Sequence, residues 1–215
     1  MRITHLGHAC ILLEHNGSRL LLDPGTYSSG LEGLTGLTAI AVTHQHPDHV
    51  DPERFAALTE TNGEAELIVE TATVEALGLG GRRLTRVEAG HAARVAEMEF
   101  RAVGGRHARN HDQVPPLGNV GYVVTANGTT FFHPGDSYDE APGDIDVLGL
   151  PLNAPWCRMS ETLSFLHAVS PRVVVPIHTG LLSEDGLAAY LMHVQRFGPA
   201  GTEVVDLRPG SAYDV

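Results

Sequence analysis

An α/β sandwich, two β-sheets covered by helices, is the fold class this sequence predicts, on three observations. Short apolar runs of strand length recur along the whole chain, hairpin-linked at first and alternating with helix-like segments afterwards. Two Asn-Gly pairs, Asn16-Gly17 and Asn127-Gly128, each join two such runs, and both residues tolerate the positive φ of a tight hairpin. No linker, low-complexity tract or short-period repeat divides the 215 residues, so 1–215 is expected to be a single domain.

The elements follow in order. Ile3–Leu6 reads as a strand, and Cys10–Glu14 and Arg19–Asp23 as the two arms of the first hairpin. Asp23-Pro24-Gly25 breaks the second arm, and the Gly/Ser/Thr-rich stretch 26–36 is a loop. Ala39–Thr43 is a buried strand. Asp51 is a plausible N-cap for a helix starting at Pro52, where proline costs no hydrogen bond. Strand Glu66–Val69 leads into a short helix, Thr71–Leu77. Strands are expected at Arg83–Val87, Ala92–Val95 and Met98–Val103, then a loop from Gly104 to Gly118. The second hairpin pairs Val120–Thr125 with Thr129–His133. Strand Val147–Leu150, helix Glu161–Val169 capped by Ser160, strand Arg172–Ile177 and helix Glu184–Phe197 follow, and Thr202–Leu207 closes the sheet.

Composition narrows the function. The formal net charge of −12 argues against a nucleic acid as ligand, because such binders present basic stripes. No apolar run reaches the roughly 18–20 residues that span a bilayer, and the N-terminus lacks a basic lead into an apolar core. A cytoplasmic chain acting on a small molecule, with no membrane partner and with homo-oligomerisation open, is the expectation. Cys10 and Cys157 are expected as free thiols. Histidine is the unusual count, at 13. His15 and His91 read as turn residues, and His167 and His193 as helix residues without a chemical role.

The chemistry is concentrated in Thr43-His44-Gln45-His46-Pro47-Asp48-His49, directly after a strand. Alternate residues of an extended chain point to one side, so His44 and His46 can reach one metal ion. As the chain turns toward the helix, Asp48 and His49 can reach a second position. Imidazole and carboxylate together suit zinc or a similar divalent ion. His107, Asp136 and His178 each follow a strand and are candidates for completing the set; each also reads singly as a loop or turn residue.

Asp23, His44-x-His46-x-Asp48-His49, His107, Asp136 and His178, in that order, resemble the five motifs of the metallo-β-lactamase superfamily. The resemblance implies a four-layer αββα sandwich with two metal ions, zinc or alternatively manganese or iron. It implies His44, His46 and His107 on the first metal, Asp48, His49 and His178 on the second, and Asp136 bridging. Asp23 would orient the ligand loop from behind. The stretches Ile3-Thr4-His5-Leu6-Gly7-His8-Ala9 and His133-Pro134-Gly135-Asp136-Ser137 are similar to the branch that contains L-ascorbate-6-phosphate lactonase.

A hydrolase is implied, with a metal-bridging hydroxide attacking a small ester, lactone or phosphodiester, and Asp48 handling its proton. His46 disfavours flavodiiron-type oxygen reductases, which have Glu there. Asp136 disfavours the best-known lactam-cleaving class. The 37 residues after His178 are short for a glyoxalase-like helical region. Two alternatives stay open: a single-iron persulfide dioxygenase-like enzyme using His44, His107 and Asp136, and a non-enzymatic metal-binding protein. For the substrate pocket, His8, His111 and Trp156 are the candidates. His111 also competes with His107 as a ligand, Trp156 reads as the end of a pocket wall Asn153-Ala154-Pro155-Trp156 but more readily as core or interface, and His133 is either behind the ligands or on a strand surface.

Overall fold

The computed structural model describes residues 1–81 and 83–215. The first sheet is laid down by β1 (Arg2–His5), β2 (Ile11–His15), β3 (Ser18–Leu22), β4 (Ala39–Val42), β5 (Glu66–Glu70) and β6 (Leu84–Val87). The second takes β7 (Ala92–Val95), β8 (Met98–Gly104), β9 (Val120–Ala126), β10 (Thr129–His133), β11 (Val147–Pro151), β12 (Val173–Ile177) and β13 (Glu203–Val204). The last strand, β14 (Ala212–Asp214), returns to the first sheet beside β1. Both hairpins form at the expected Asn-Gly pairs, with φ of 47° and 81° at Asn16-Gly17 and 48° and 76° at Asn127-Gly128.

Alternation along the strands assigns the layers. In β4, Ala39 and Ala41 point into the core between the sheets, while Ile40 and Val42 face the helix side. The small alanines lie in the same inter-sheet core as Phe100, Tyr122 and Phe131 of the second sheet. Outside the first sheet, α1 (Pro52–Thr61) contributes Phe55 and Leu58 and α2 (Thr71–Leu77) contributes Val74. Outside the second sheet, α3 (Met159–Val169) supplies Phe165, Leu166 and Val169, and α4 (Glu184–Phe197) supplies Leu187, Leu191 and Val194. Three apolar layers between four layers of structure make the αββα sandwich.

Helix starts follow their capping chemistry. Asp51 accepts from the backbone N–H groups of Glu53 and Arg54, with Pro52 in the first turn, as expected. The expectation for α3 needs correction: Arg158 occupies the cap, its N–H donating to Glu161 at 3.0 Å, and Ser160 lies inside the first turn. The closing strand is shorter than 202–207, because the N–H of Leu207 bonds to Val205 O and turns the chain away. Cys10 and Cys157 are both free. Among the described residues no helix is long and apolar enough to cross a membrane.

Candidate metal centre

Strand direction decides where the chemistry collects. β1, β3 and β4 run the same way in the first sheet, as do β8, β10, β11 and β12 in the second. The residues just beyond their C-terminal ends meet at one edge of the sandwich: His8, Asp23, His44 to His49, His107, Asp136, Asn153 and His178. They form two groups, His44–His46–His107–Asp136 and His8–Asp48–His49–His178, each with its ligand-type atoms within 4.8 Å of one another. Asp136 belongs to both by geometry. Its Oδ2 lies 3.3 Å from His107 Nε2 and 4.0 Å from His44 Nε2; its Oδ1 lies 3.0 Å from His49 Nε2 and 3.1 Å from His178 Nε2.

Hydrogen bonds on the far side of each ring establish which nitrogen is bare. His178 Nδ1 faces Asn153 O at 2.6 Å, and a carbonyl only accepts, so the proton sits on Nδ1 and Nε2 is a lone pair. His107 Nδ1 likewise donates to Ala108 O at 2.5 Å. His49 Nδ1 donates to Asp23 Oδ2 at 2.6 Å. The Thr43 hydroxyl donates to Asp23 at 2.7 Å, leaving its oxygen to accept from His44 Nδ1 at 3.0 Å. The Nε2 atoms of His49 and His178 face each other at 3.2 Å, both beside Asp136 Oδ1. His107 Nε2 and Asp136 Oδ1 are buried without a hydrogen-bond partner. Converging acceptors in a buried site repel unless positive charge, a proton or a cation, lies among them. The nitrogen and oxygen donors suit a first-row divalent ion, so the residues present fit a metal.

The electrostatics agree. Burial first, then the neighbouring His49, pushes the His44 pKa well below its ordinary value of 6.5, and burial also lowers that of His46; both are neutral imidazoles. Burial disfavours charge on Asp136, yet His49 and His178 hold its carboxyl well below the usual range. Burial also opposes charge on His49, but the carboxylates of Asp136 and Asp23 overcome it and hold the pKa well above 6.5, so without an ion a proton on its Nε2 faces Asp136 Oδ1 and stands where a cation would bind. The centre is built to accept positive charge.

Supporting contacts lock this arrangement. Asp23, fully buried at φ 49°, accepts from Thr43 N–H at 2.8 Å as well as from the hydroxyl and His49. His8 and His178 also sit in the left-handed region, at φ 51° and 59°, with His178 N–H donating to His8 O at 2.7 Å. Gly25 packs so closely under the ligand loop that a Cβ would overlap the Asp48 main chain. Asn119 Oδ1 accepts from Asp136 N–H at 3.0 Å, while its Nδ2 donates to Pro134 O at 3.0 Å. Tyr122 OH donates to Val42 O at 2.8 Å, tying the second sheet to the end of β4.

The pocket candidates divide. His8 is buried, accepts from Gly180 N–H at Nδ1 and donates Nε2–H to Asp48 Oδ2 at 3.2 Å. Burial pushes its pKa down to about 4, so it is a neutral donor that orients Asp48 rather than a group facing substrate. His111 is exposed and accepts from Gln113 N–H in its own turn; it lies outside both groups and does not compete with His107. Trp156 lines the open cleft and donates Nε1–H to Asp136 Oδ2 at 2.7 Å. His133 lies behind the His/Asp cluster, donating to Ala9 O at 2.8 Å and accepting from Gly135 N–H. Asn119 and the role of Thr43 escaped sequence reading; for Thr43, its place between the β4 strand and His44 was the available signal.

Two β-sheets between helices, with a His/Asp cluster at the strand ends, define the class of metallo-β-lactamase-fold proteins. The chain belongs to the metallo-β-lactamase superfamily: residues 2–178 match the beta-lactamase superfamily domain. It is 43% identical over 192 residues to Protein Rv0786c of Mycobacterium tuberculosis, covering 88% of this chain and 89% of that one. It is 26% identical over 230 residues to a UPF0173 metal-dependent hydrolase of Pyrococcus furiosus, with both chains covered in full (100% and 100%). The fold matches Igni18, a metallo hydrolase of Ignicoccus hospitalis, with a TM-score of 0.74 at 18% identity, covering 100% of this chain and 98% of that one.

Proposed function

We propose that this metal-dependent hydrolase of the superfamily works with two divalent cations, zinc or a similar ion, on a small ester, lactone or phosphodiester. His44, His46 and His107 hold one, Asp48, His49 and His178 the other, and Asp136 is shared. When bound, the pair acidifies water and polarises the oxygen of the bond to be cleaved. The observation that carries the reading is the position of Asp136, with each carboxylate oxygen facing a different group of imidazole nitrogens. The second group is as complete as the first, which speaks against the single-iron alternative.

The remaining work falls to the chain. Asp48 lines the cleft with its side chain 23% exposed and one oxygen held by His8. Burial opposes its charge, but the His8 hydrogen bond and His49 bring its pKa down to about 2. It is therefore a relay: it takes the proton of the attacking water only in passing and hands it to the leaving alkoxide. Hydrolysis adds OH to the acyl carbon or phosphorus and the proton to the departing oxygen. Trp156 and His107 wall the cleft against bulk water.

The test is to strip the protein with a chelator and restore it with zinc or manganese. Turnover of p-nitrophenyl esters and bis-p-nitrophenyl phosphate should return with about two ions per chain. Saturation at one ion with full activity, or no hydrolysis at any metal load, removes the proposal.

A further inference from the structure

A second hollow opens beside the metal ligands. It has a volume of about 530 Å³, and shares His46, His107 and Asn110 with the 350 Å³ cleft over the centre, so the two are one continuous groove. Each volume is in the range of small-ligand sites. Apolar surface left exposed by the fold gathers here. Of the five large exposed hydrophobic side chains among the described residues, Val114 lines the hollow, and Tyr27 and Leu181 line the cleft. Such surface beside polar groups marks a binding site. Pro115 and Pro116 stiffen the wall of the hollow.

The charge of the hollow runs against that of the molecule. The chain carries −12 overall, yet the hollow is lined by two arginines, Arg106 and Arg109, against one carboxylate, Asp139. Each arginine meets a carboxylate only at the surface: Arg106 and Asp139 are 3.5 Å apart, Arg109 and Asp112 3.2 Å, with every partner more than half exposed. Pairs so exposed contribute little, so an arriving anion displaces them at little cost. The guanidinium fork matches carboxylate and phosphate oxygens alike. Both arginines ride on the segment that carries His107. That segment is pinned by His107 N–H to Leu117 O at 2.9 Å and by Ala108 N–H to Asp136 O at 2.7 Å. The cations are thus held in fixed relation to the metal centre.

We infer that the substrate is an amphipathic anion, its apolar body lying along Tyr27, Leu181 and Val114 and its carboxylate or phosphate bound by Arg106 and Arg109, away from the bond that is cleaved. This rests on the hydrolytic reading above and adds the substrate class to it.

The experiment uses the zinc-loaded full chain and the Arg106→Gln/Arg109→Gln variant, with zinc content checked in both. Calorimetric binding of hexanoate, hexyl phosphate and hexanol is measured first. Then kcat/KM is measured for p-nitrophenyl hexanoate and its ω-carboxylate and ω-phosphate counterparts. The variant should bind the two anions about tenfold more weakly and leave hexanol unchanged. The wild type should prefer the charged esters through KM, and the variant should lose that preference while hydrolysing the neutral ester at the wild-type rate. Whichever anion loses more identifies the group recognised. Equal anion affinity in the two proteins, or an equal fall for all three ligands, overturns the inference even if esters are hydrolysed. Arginine-dependent anion binding without turnover of any ester sinks the hydrolytic reading and leaves the anion site standing.

Discussion

Trp156→Phe isolates one hydrogen bond to the carboxylate that joins the two groups. The indole N–H donates to Asp136 Oδ2 at 2.7 Å, and both side chains are buried. Phe keeps an aromatic ring against Tyr138, whose centroid is 4.9 Å away, and removes the donor alone. Two effects then compete. Losing the donor leaves more negative charge on Oδ2, which favours a cation, but it also frees the carboxylate to rotate. Rotation should win, because Asp136 works only while its two oxygens face different groups, and Asn119 secures just its backbone. A hydrogen bond to a charged group contributes about 1.5–3 kcal/mol, which at about 1.4 kcal/mol per decade is roughly ten- to a hundred-fold in affinity. Partners that orient metal ligands show losses of that size. Zinc affinity, measured by competition with a chromogenic chelator, should weaken within this range, with the circular dichroism spectrum unchanged. An affinity within about twofold of wild type, or a tighter one, would refute the orienting role.

Other tests reach different parts of the site. Because Trp156 is the only tryptophan and bonds to Asp136, intrinsic fluorescence of the wild type should shift on zinc addition, and Asp136→Ala should abolish the shift. His107→Ala should retain about one zinc by plasma mass spectrometry, whereas Asp136→Ala should lower occupancy at both positions. Gly25→Ala must push the Asp48 main chain aside, so urea unfolding should show a loss of about 1–3 kcal/mol or more, with reduced zinc content. Burial lifts the Cys10 thiol from 9.0 to about 12, so the folded state favours the protonated form. The associated stability is complete below pH 9.0 and is lost as pH rises toward 12; melting curves across that window should flatten in Cys10→Ala relative to wild type.

How much of this was legible in the sequence depends on where each signal lives. The Asn-Gly hairpins, Asp51-Pro52 and α2 and α4 followed from local backbone chemistry, which a single sequence carries. The gathering of His44, His46, Asp48 and His49 was equally readable, because a strand end places neighbours together. β14 was not readable: three residues hold it, by main-chain bonds to β1 across more than 200 positions, and the Ala-Tyr-Asp pattern has no length to alternate. The roles of His8 and Trp156 were closed for a related reason. Each depends on which ring atom faces which oxygen, His8 across 40 residues to Asp48 and Trp156 across 20 to Asp136, and spacing holds no information about that. His111 misled because histidine type alone was counted, and its turn with Gln113 is a local event that leaves it facing water.

The edge that gathers the His/Asp cluster also explains why the fold tolerates it. Seven strands of one direction deliver polar residues to one place, and a pile of bare nitrogens and carboxylates would by itself oppose folding. The sandwich answers with rigid partners behind each group: Asp23 fixes His49, Asn153 O fixes His178, Ala108 O fixes His107 and Thr43 fixes His44. For His178, His107 and His44 these bonds take the proton away from the shared centre, so their lone pairs point inward before any ion arrives, while His49 holds a proton that the ion displaces. Part of a cation's binding energy is then released as relief of repulsion rather than spent on ordering side chains. A chain arranged this way should lose more by misplacing a backing group than its distance from the reaction suggests, which makes the orienting residues as informative as the ligands themselves.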